Sequence, residues 1–277
     1  MKNYQRRLEA HLRSYKYHRL GVSLSGEHRS KTRTVVRAHI LPHNLRLLNI
    51  IEPIRGEFQR YLRQHSKVRL HKYFHHLNSS QALAFNLFLP FALQGPEAAA
   101  LLTKALGVPD PIGDFCFEFV PDEGEGTNVD VAWQGRDSQW TFCEVKLSER
   151  EFGKAADDAR HRRKLAGTYA PRLAGVVSPQ LLEPEGFFAH YQILRNVALI
   201  AKRPLARLVI LFPQENENLG VVLREVVPGL ASNVRERIIL AHLERVLTTL
   251  SASTVRWARL GTCVELVAEK YVVRGAG

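Results

Sequence analysis

Only three cysteines, Cys116, Cys143 and Cys263, occur in 277 residues. They are too few and too scattered for a disulfide scaffold or a zinc knuckle, and read as small buried hydrophobes of a reducing compartment. No run of 18 apolar residues exists, so no membrane span is expected. The opening residues, Met1-Lys2-Asn3-Tyr4-Gln5-Arg6-Arg7, are charged and lack the apolar region of a secretory signal. The expected location is therefore the cytoplasm. The sequence has no Walker motif, dinucleotide fingerprint or nucleophile elbow, and no internal repeat or low-complexity tract.

Acidic residues are scarce at one end and crowded in the middle. Residues 1–77 hold 17 Lys/Arg against 4 Glu, a net of +13, whereas the whole chain nets +12. Nine of the twelve histidines lie in the same stretch. Residues 106–153 hold 11 Asp/Glu against 3 Lys/Arg, a net of −8. A basic segment supplies sequence-independent affinity for nucleic acid through phosphate contacts and counterion release. An acidic patch repels that ligand unless cations neutralise it. The asymmetry fits a metal-dependent enzyme acting on nucleic acid better than a plain binding module.

The pattern predicts a basic, mainly helical region over residues 1–105 and an α/β core over 106–277. Residues 1–35 are polar and basic with weak helical signals, so partial disorder is expected in the absence of DNA or a partner. Residues 44–64 look helical, with an interruption at Pro53. Residues 78–89 form an apolar helix behind the caps Asn78-Ser79-Ser80, ended at Pro90. Pro96 to Leu106 is a short helix stopped by Gly107. Strands are expected at 115–120, 128–133 and 139–147, forming a meander. A basic-faced helix follows at 151–166, then a helical stretch over 184–202. Leu205 to Phe212 reads as a strand buried on both faces. A long helix at 234–250, a strand at 255–260 and a last helix capped by Thr262 and Glu265 close the chain. Strands first and helix–strand alternation afterwards imply an α/β/α layered domain.

Within the meander, Asp130 and Glu144-Val145-Lys146 stand in the spacing Asp-x13-Glu-x-Lys. Successive side chains of a strand alternate faces, so Glu144 and Lys146 share one and Val145 packs on the other. A neighbouring strand can bring Asp130 beside them. Two carboxylates and an ammonium together are costly to bury without a reason. A hard divalent cation is such a reason, because Mg²⁺ takes one or two carboxylates plus substrate phosphate oxygens. A polar surface on an alternating meander is the other reading.

These residues and their setting resemble the PD-(D/E)XK nuclease superfamily, the restriction-endonuclease-like enzymes. Thr127-Asn128-Val129-Asp130-Val131 looks like its metal-binding strand, and Phe142 to Gly153 like its second catalytic strand and exit turn. Asn78 to Phe88 resembles the helix before the core in a bacterial group of such proteins. The likeness spans roughly residues 70–215, and no Pro precedes Asp130.

The resemblance implies a three-layer α/β/α core with a mixed central sheet and hydrolysis of DNA phosphodiester bonds. It implies Mg²⁺, with Mn²⁺ able to substitute, held by Asp130, Glu144 and the Val145 carbonyl, with Lys146 at the water or phosphate. Glu118 is either a further acid near the metal or a cross-strand partner for a base. Glu149 and Glu151 either shape the site or satisfy a helix N-terminus. Gln192 and Arg195, three apart on one helix, either touch phosphate and water or form ordinary surface. Gln81 and Asn86 either reach the site or bond to backbone in the interior. Asp122, Glu123 and Glu125 read as solvated turn residues. Arg160, Arg162, Arg163 and Lys164 form a basic run that either grips the DNA backbone or is a solvated face. His71, His75 and His76 have a spacing that suits zinc but lack supporting motifs. The expected partner is DNA, with RNA as an alternative, and a homodimer follows if both strands are cut. The rival reading is a non-cleaving or partner-dependent nucleic-acid-binding subunit with the same fold.

Overall fold

The computed structural model describes residues 3–108, 114–135 and 138–273. Helix α1 (Asn3–His18) leads into a hairpin of β1 (Gly26–Arg29) and β2 (Thr34–Arg37). Helices α2 (Arg55–Gln64), α3 (Ser80–Leu93) and α4 (Pro96–Ala105) precede the meander β3 (Cys116–Asp122), β4 (Thr127–Gln134) and β5 (Trp140–Val145). Then come α5 (Ala159–Lys164), α6 (Ala170–Leu173), α7 (Pro179–Leu182), α8 (Pro184–Ala189) and α9 (Tyr191–Ala201). Strand β6 (Arg207–Phe212), α10 (Glu217–Val226), α11 (Ser232–Arg235), β7 (Ile238–His242), α12 (Leu243–Ser253) and α13 (Ala258–Tyr271) complete the chain.

The five-stranded sheet runs β3-β4-β5-β6-β7, antiparallel through β5 and parallel from β5 to β7. Alternation along the strands separates two apolar layers. Cys143, Val145, Val209 and Leu211 face one cluster, which also holds Leu8 and Leu12 of α1 and the buried sides of α3, α4, α12 and α13. Phe142, Leu208, Ile210 and Phe212 face another, built on α6, α9 and α10. The fold is thus the expected mixed-sheet α/β/α core of the restriction-endonuclease-like kind.

Several local expectations are corrected. From residue 3 onward this stretch folds as α1 and the hairpin: Tyr4, Leu8, Leu12 and Tyr15 recur at helical spacing and are buried, a stripe that the surrounding basic residues hide. Helix α3 does not stop at Pro90 but continues to Leu93. The proline forfeits a backbone hydrogen bond, yet every residue from Gln81 to Phe91 is buried, and that packing outweighs the loss. The segment 151–166 is irregular until Asp158, whose carboxylate accepts from the His161 amide at 2.8 Å and starts α5. The single helix expected at 234–250 is instead α11, strand β7 and α12, because Ile238-Ile239-Leu240 adds in parallel beside β6. No strand forms at 255–260; α13 begins at Ala258, and Thr262 lies inside it, donating to the Ala258 carbonyl at 3.1 Å.

Asn86 belongs to the interior rather than to any site. Its amide bonds to Asn49, Tyr271 and the Ile51 N–H, while the buried Lys270 ammonium donates to Asn49. This network pins α13 to α3 and to the chain around residue 50.

Candidate active site at the end of strand β5

The β4–β5 ladder pairs Ala132 with Phe142 and Val131 with Cys143. Continued one step, that register sets Asp130 opposite Glu144. The β3–β4 ladder pairs Phe117 with Val131 and Phe119 with Val129, which sets Glu118 opposite Asp130. Three carboxylates therefore stand in one row across three adjacent strands. Like charges directly opposite one another destabilise a sheet, so the row is costly unless something neutralises it.

The ladder itself stops where the acids begin. Beyond Cys143 the next amide facing β4 is that of Val145, and the Asp130 Oδ2 accepts it at 2.7 Å. The N–H and C=O of one strand residue point to the same side, so the Val145 carbonyl faces the same opening as Asp130. Val145's side chain is fully buried on the other layer, as the alternation requires.

Glu144 and Lys146 are 3% and 7% exposed, and the ammonium pairs with Glu144 Oε1 at 2.9 Å. Lys146 Nζ also donates to Gln192 Oε1 at 2.9 Å. Gln192 Nε2 in turn donates to Glu144 Oε1 at 2.5 Å, and Asn196 Nδ2 donates to Glu144 Oε2 at 2.9 Å. Glu149 Oε2 accepts the Leu147 amide at 2.7 Å. Asn216, buried, donates to the carbonyls of Leu147 at 3.2 Å and Glu149 at 2.9 Å, which fixes the exit turn.

The electrostatics follow from this crowding. Burial first, then the charges of Glu144 and Glu118, push the Asp130 carboxyl well above the ordinary aspartate range, against the Lys146 charge and the Val145 hydrogen bond. Burial and Glu144 also raise Glu118, although Gln81 and Asn128 hydrogen-bond to it. For Lys146 burial acts downward, but Glu144, Glu149 and Asp130 outweigh it and the pKa ends above the ordinary lysine value. Glu118 also has φ +51°, a left-handed conformation that costs a non-glycine residue about 1–3 kcal/mol and clusters at functional sites.

A divalent cation fits this donor set. Asp130, Glu144 and the Val145 carbonyl come to the same end of the sheet, and burial and mutual repulsion push Asp130 and Glu118 toward the protonated form. Among the described residues no group of three or more His, Cys, Asp or Glu is placed to enclose a metal by itself. Mg²⁺ does not need such a cage, since it keeps waters and takes substrate oxygens.

The structure brings Asp130, Glu144, Lys146, Glu118 and Gln192 together with the Val145 carbonyl, and Gln81 stands beside Glu118. Among the described residues no hydrogen bond or ion pair joins Arg195 to the cluster; its guanidinium lies 6.0 Å from the Tyr191 ring centre. Helix α9 turns Asn196, four residues after Gln192, toward the site instead, and the i, i+4 relation was the signal for it. Glu149 shapes the site, whereas Glu151 pairs with Lys154 at the surface. Arg160, Arg162 and Arg163 are exposed on α5, with Arg162 paired to Asp157 and Lys164 donating to the Glu125 carbonyl. Glu125 is not solvated: it is buried against Tyr169 and Arg172.

Gly153 closes the far side of the site. Its φ is +85°, and a Cβ there would meet Gln192 Oε1 at 3.0 Å. Gly153→Ala is expected to cost about 1–3 kcal/mol of stability through backbone strain and to displace Gln192. Thermal melting beside a catalytic assay would show both effects. Unchanged melting and activity would contradict the packing described.

The sheet order and the acidic row with its lysine define a restriction-endonuclease-like core with a candidate catalytic cluster at the end of β5. Residues 9–272 match the family described as Restriction Endonuclease associating with ARP, and the chain belongs to that family. No curated protein and no solved structure matches the chain. No helix among the described residues is long and apolar enough to cross a membrane.

Proposed function

We propose that the protein is a metal-dependent nuclease of the PD-(D/E)XK type that hydrolyses DNA phosphodiester bonds. The single observation that carries this reading is the row of Glu118, Asp130 and Glu144 at one register, closed by Lys146. Asp130, Glu144 and the Val145 carbonyl would hold Mg²⁺ or Mn²⁺. When bound, the cation supplies Lewis-acid polarisation of the phosphate and lowers the pKa of an attacking water. Lys146, kept charged by its carboxylate neighbours, offsets the negative charge that builds on the phosphate. Gln192 and Asn196 orient Glu144, and Gln192 also fixes the direction of the Lys146 ammonium. Arg160, Arg162 and Arg163 offer phosphate contacts on α5. Family membership supports a nuclease of the restriction-endonuclease kind.

The test is incubation of the purified protein with Mg²⁺ or Mn²⁺ and, separately, supercoiled plasmid, single-stranded DNA and RNA. Strand breaks in DNA that vanish with EDTA are expected. Folded protein that breaks no form of DNA with either metal would remove the reading, and breaks confined to RNA would reassign the substrate.

One observation favours a second reading, partner-dependent action. Both oxygens of Glu144 already accept hydrogen bonds from Lys146, Gln192 and Asn196, so metal entry requires these bonds to loosen. The family's description as associating with ARP suggests what a partner's binding would do. On this reading the isolated chain binds DNA but cuts it only when the partner is added.

A further inference from the structure

The hairpin β1–β2 and the loop 66–78 make a basic wing bolted to the rim of the acidic site, apart from the residues of the candidate catalytic cluster. Gly26 is packed so closely that a Cβ would meet the Leu41 carbonyl oxygen at 2.0 Å. The Tyr73 hydroxyl donates to the Arg29 carbonyl at 2.8 Å, and His75 Nε2 lies 3.0 Å from the Glu27 carbonyl. The ring of His28 in β1 and those of Tyr73, His75 and His76 in the loop pack against one another in tilted and edge-on contacts. The hairpin is therefore seated on the loop, not loose in solvent.

The loop in turn is fixed to the catalytic elements at two points. Gln81, beside Glu118, accepts the His71 amide at 2.8 Å and donates to the Arg69 carbonyl at 3.0 Å. Asn78 donates to Ser148 Oγ at 2.8 Å, two residues beyond Lys146. These bonds set the wing's position relative to Glu118 and Lys146.

The wing's charge is nearly all of one sign. Residues 58–96 contain no Asp or Glu, and neither do residues 28–51. Arg29, Lys31, Arg33, Lys67, Arg69 and Lys72 are all exposed. Glu27 is the one acid there, paired with Arg29 at 2.8 Å. A cleft of about 690 Å³ between hairpin and loop is lined by Arg29, His43, Lys72, Tyr73 and His75 among others. Burial lowers His76 to about 3 and His39 to about 4, so these rings are neutral struts and the charge rests on lysine and arginine.

We infer that this wing is a backbone-phosphate site that grips duplex DNA beside the point of cleavage. The inference rests on the nuclease reading for the position of that point, but the wing's affinity for DNA does not depend on catalysis. Exposed cations of one sign on a rigid mount are what sequence-independent backbone binding requires, and each phosphate neutralised steepens the salt dependence by about 0.9 in log–log slope. An acidic cluster alone would repel DNA; a basic wing fixed to its rim draws the strand back to it.

The experiment is binding of a fluorescent DNA duplex in EDTA across a salt series. Wild type is compared with the triple variant Arg29→Gln, Arg33→Gln, Lys72→Gln, and with a control, Arg245→Gln, Arg256→Gln, that removes exposed charge elsewhere. All five residues are exposed, so the folds should survive, and circular dichroism checks this. The triple variant is expected to bind at least tenfold more weakly near 0.1 M salt, with a slope shallower by about 0.9 for each phosphate left unneutralised, while the control binds like wild type. With metal present, KM should rise and kcat hold. Wild-type affinity and slope in the triple variant, equal losses in the control, or no DNA binding by the wild type would overturn the inference. Weakened binding in the triple variant with no cleavage by the wild type in any metal would leave the wing standing and remove the nuclease reading. Cleavage intact with binding unchanged would do the reverse.

Discussion

Lys146→Ala is expected to lower metal-dependent cleavage by at least about 10²–10³-fold, the range seen when one preorganised charge-stabilising group is removed. The ammonium lies 2.9 Å from Glu144 and 2.9 Å from Gln192, and no other cationic side chain takes this position among the described residues. The same change also acts on stability. Removing one partner of a buried ion pair typically costs about 3–5 kcal/mol, because the other charge is left uncompensated. Here Gln192 and Asn196 still donate to Glu144, so the loss should fall below that range. Adding Mn²⁺ should recover part of the lost melting temperature, since a cation replaces the missing charge, without recovering activity. Single-turnover cleavage and melting, each with and without metal, measure the two effects. A variant as active as wild type would show that Lys146 is only a structural counter-charge.

Asp130→Asn should do something less usual: stabilise the metal-free protein while abolishing its response to metal. Asp130 is pushed up by burial and by its acidic neighbours, so the folded protein keeps that proton to a higher pH than the unfolded chain, which gives it up at about 3.9. The sign follows from linkage. At pH below the unfolded value both states are protonated and the group contributes nothing. As pH rises past it, the unfolded state gains by ionising and the folded state loses relative stability. Asparagine cannot ionise, and its carbonyl oxygen can still accept the Val145 amide. In EDTA the variant should therefore melt above wild type by a margin that grows as pH rises above about 4, the ordinary aspartate value. In domains of about 150–250 residues each 1 kcal/mol moves the midpoint by roughly 2–4 °C. Mn²⁺ should raise the wild-type midpoint more at high pH than at low, because binding displaces a proton, and leave the variant unmoved. Equal midpoints at every pH would mean that the Asp130 carboxyl is not under the strain described.

The candidate cluster is legible in the sequence because it is written along strands. Alternation places Glu144 and Lys146 on one face, and the meander allows a neighbouring strand to bring Asp130 beside them, as the β4–β5 pairing does. Glu118 and Gln192 were legible as candidates only through the family likeness. Asn196 is legible only through its position four residues after Gln192 on the same helix face, whereas Asn216, an amide that bonds to two carbonyls, leaves no periodic trace. The helix α1 and strand β7 were misread for opposite reasons. In α1 a clear apolar stripe was masked by basic neighbours. In β7 a short β-branched run between two helical segments was absorbed into their periodicity. Pro90 shows the limit of a local rule: a helix buried on all sides continues through a residue that would end an exposed one.

The most direct test is the rate of plasmid nicking as Mn²⁺ is titrated, run on wild type beside Asp130→Asn. The wild-type rate should rise from nothing to a plateau with added metal, and the variant should stay flat at every concentration. Nicking that needs no metal, or that survives in the variant, would contradict a metal-activated site built on Asp130, Glu144 and Lys146.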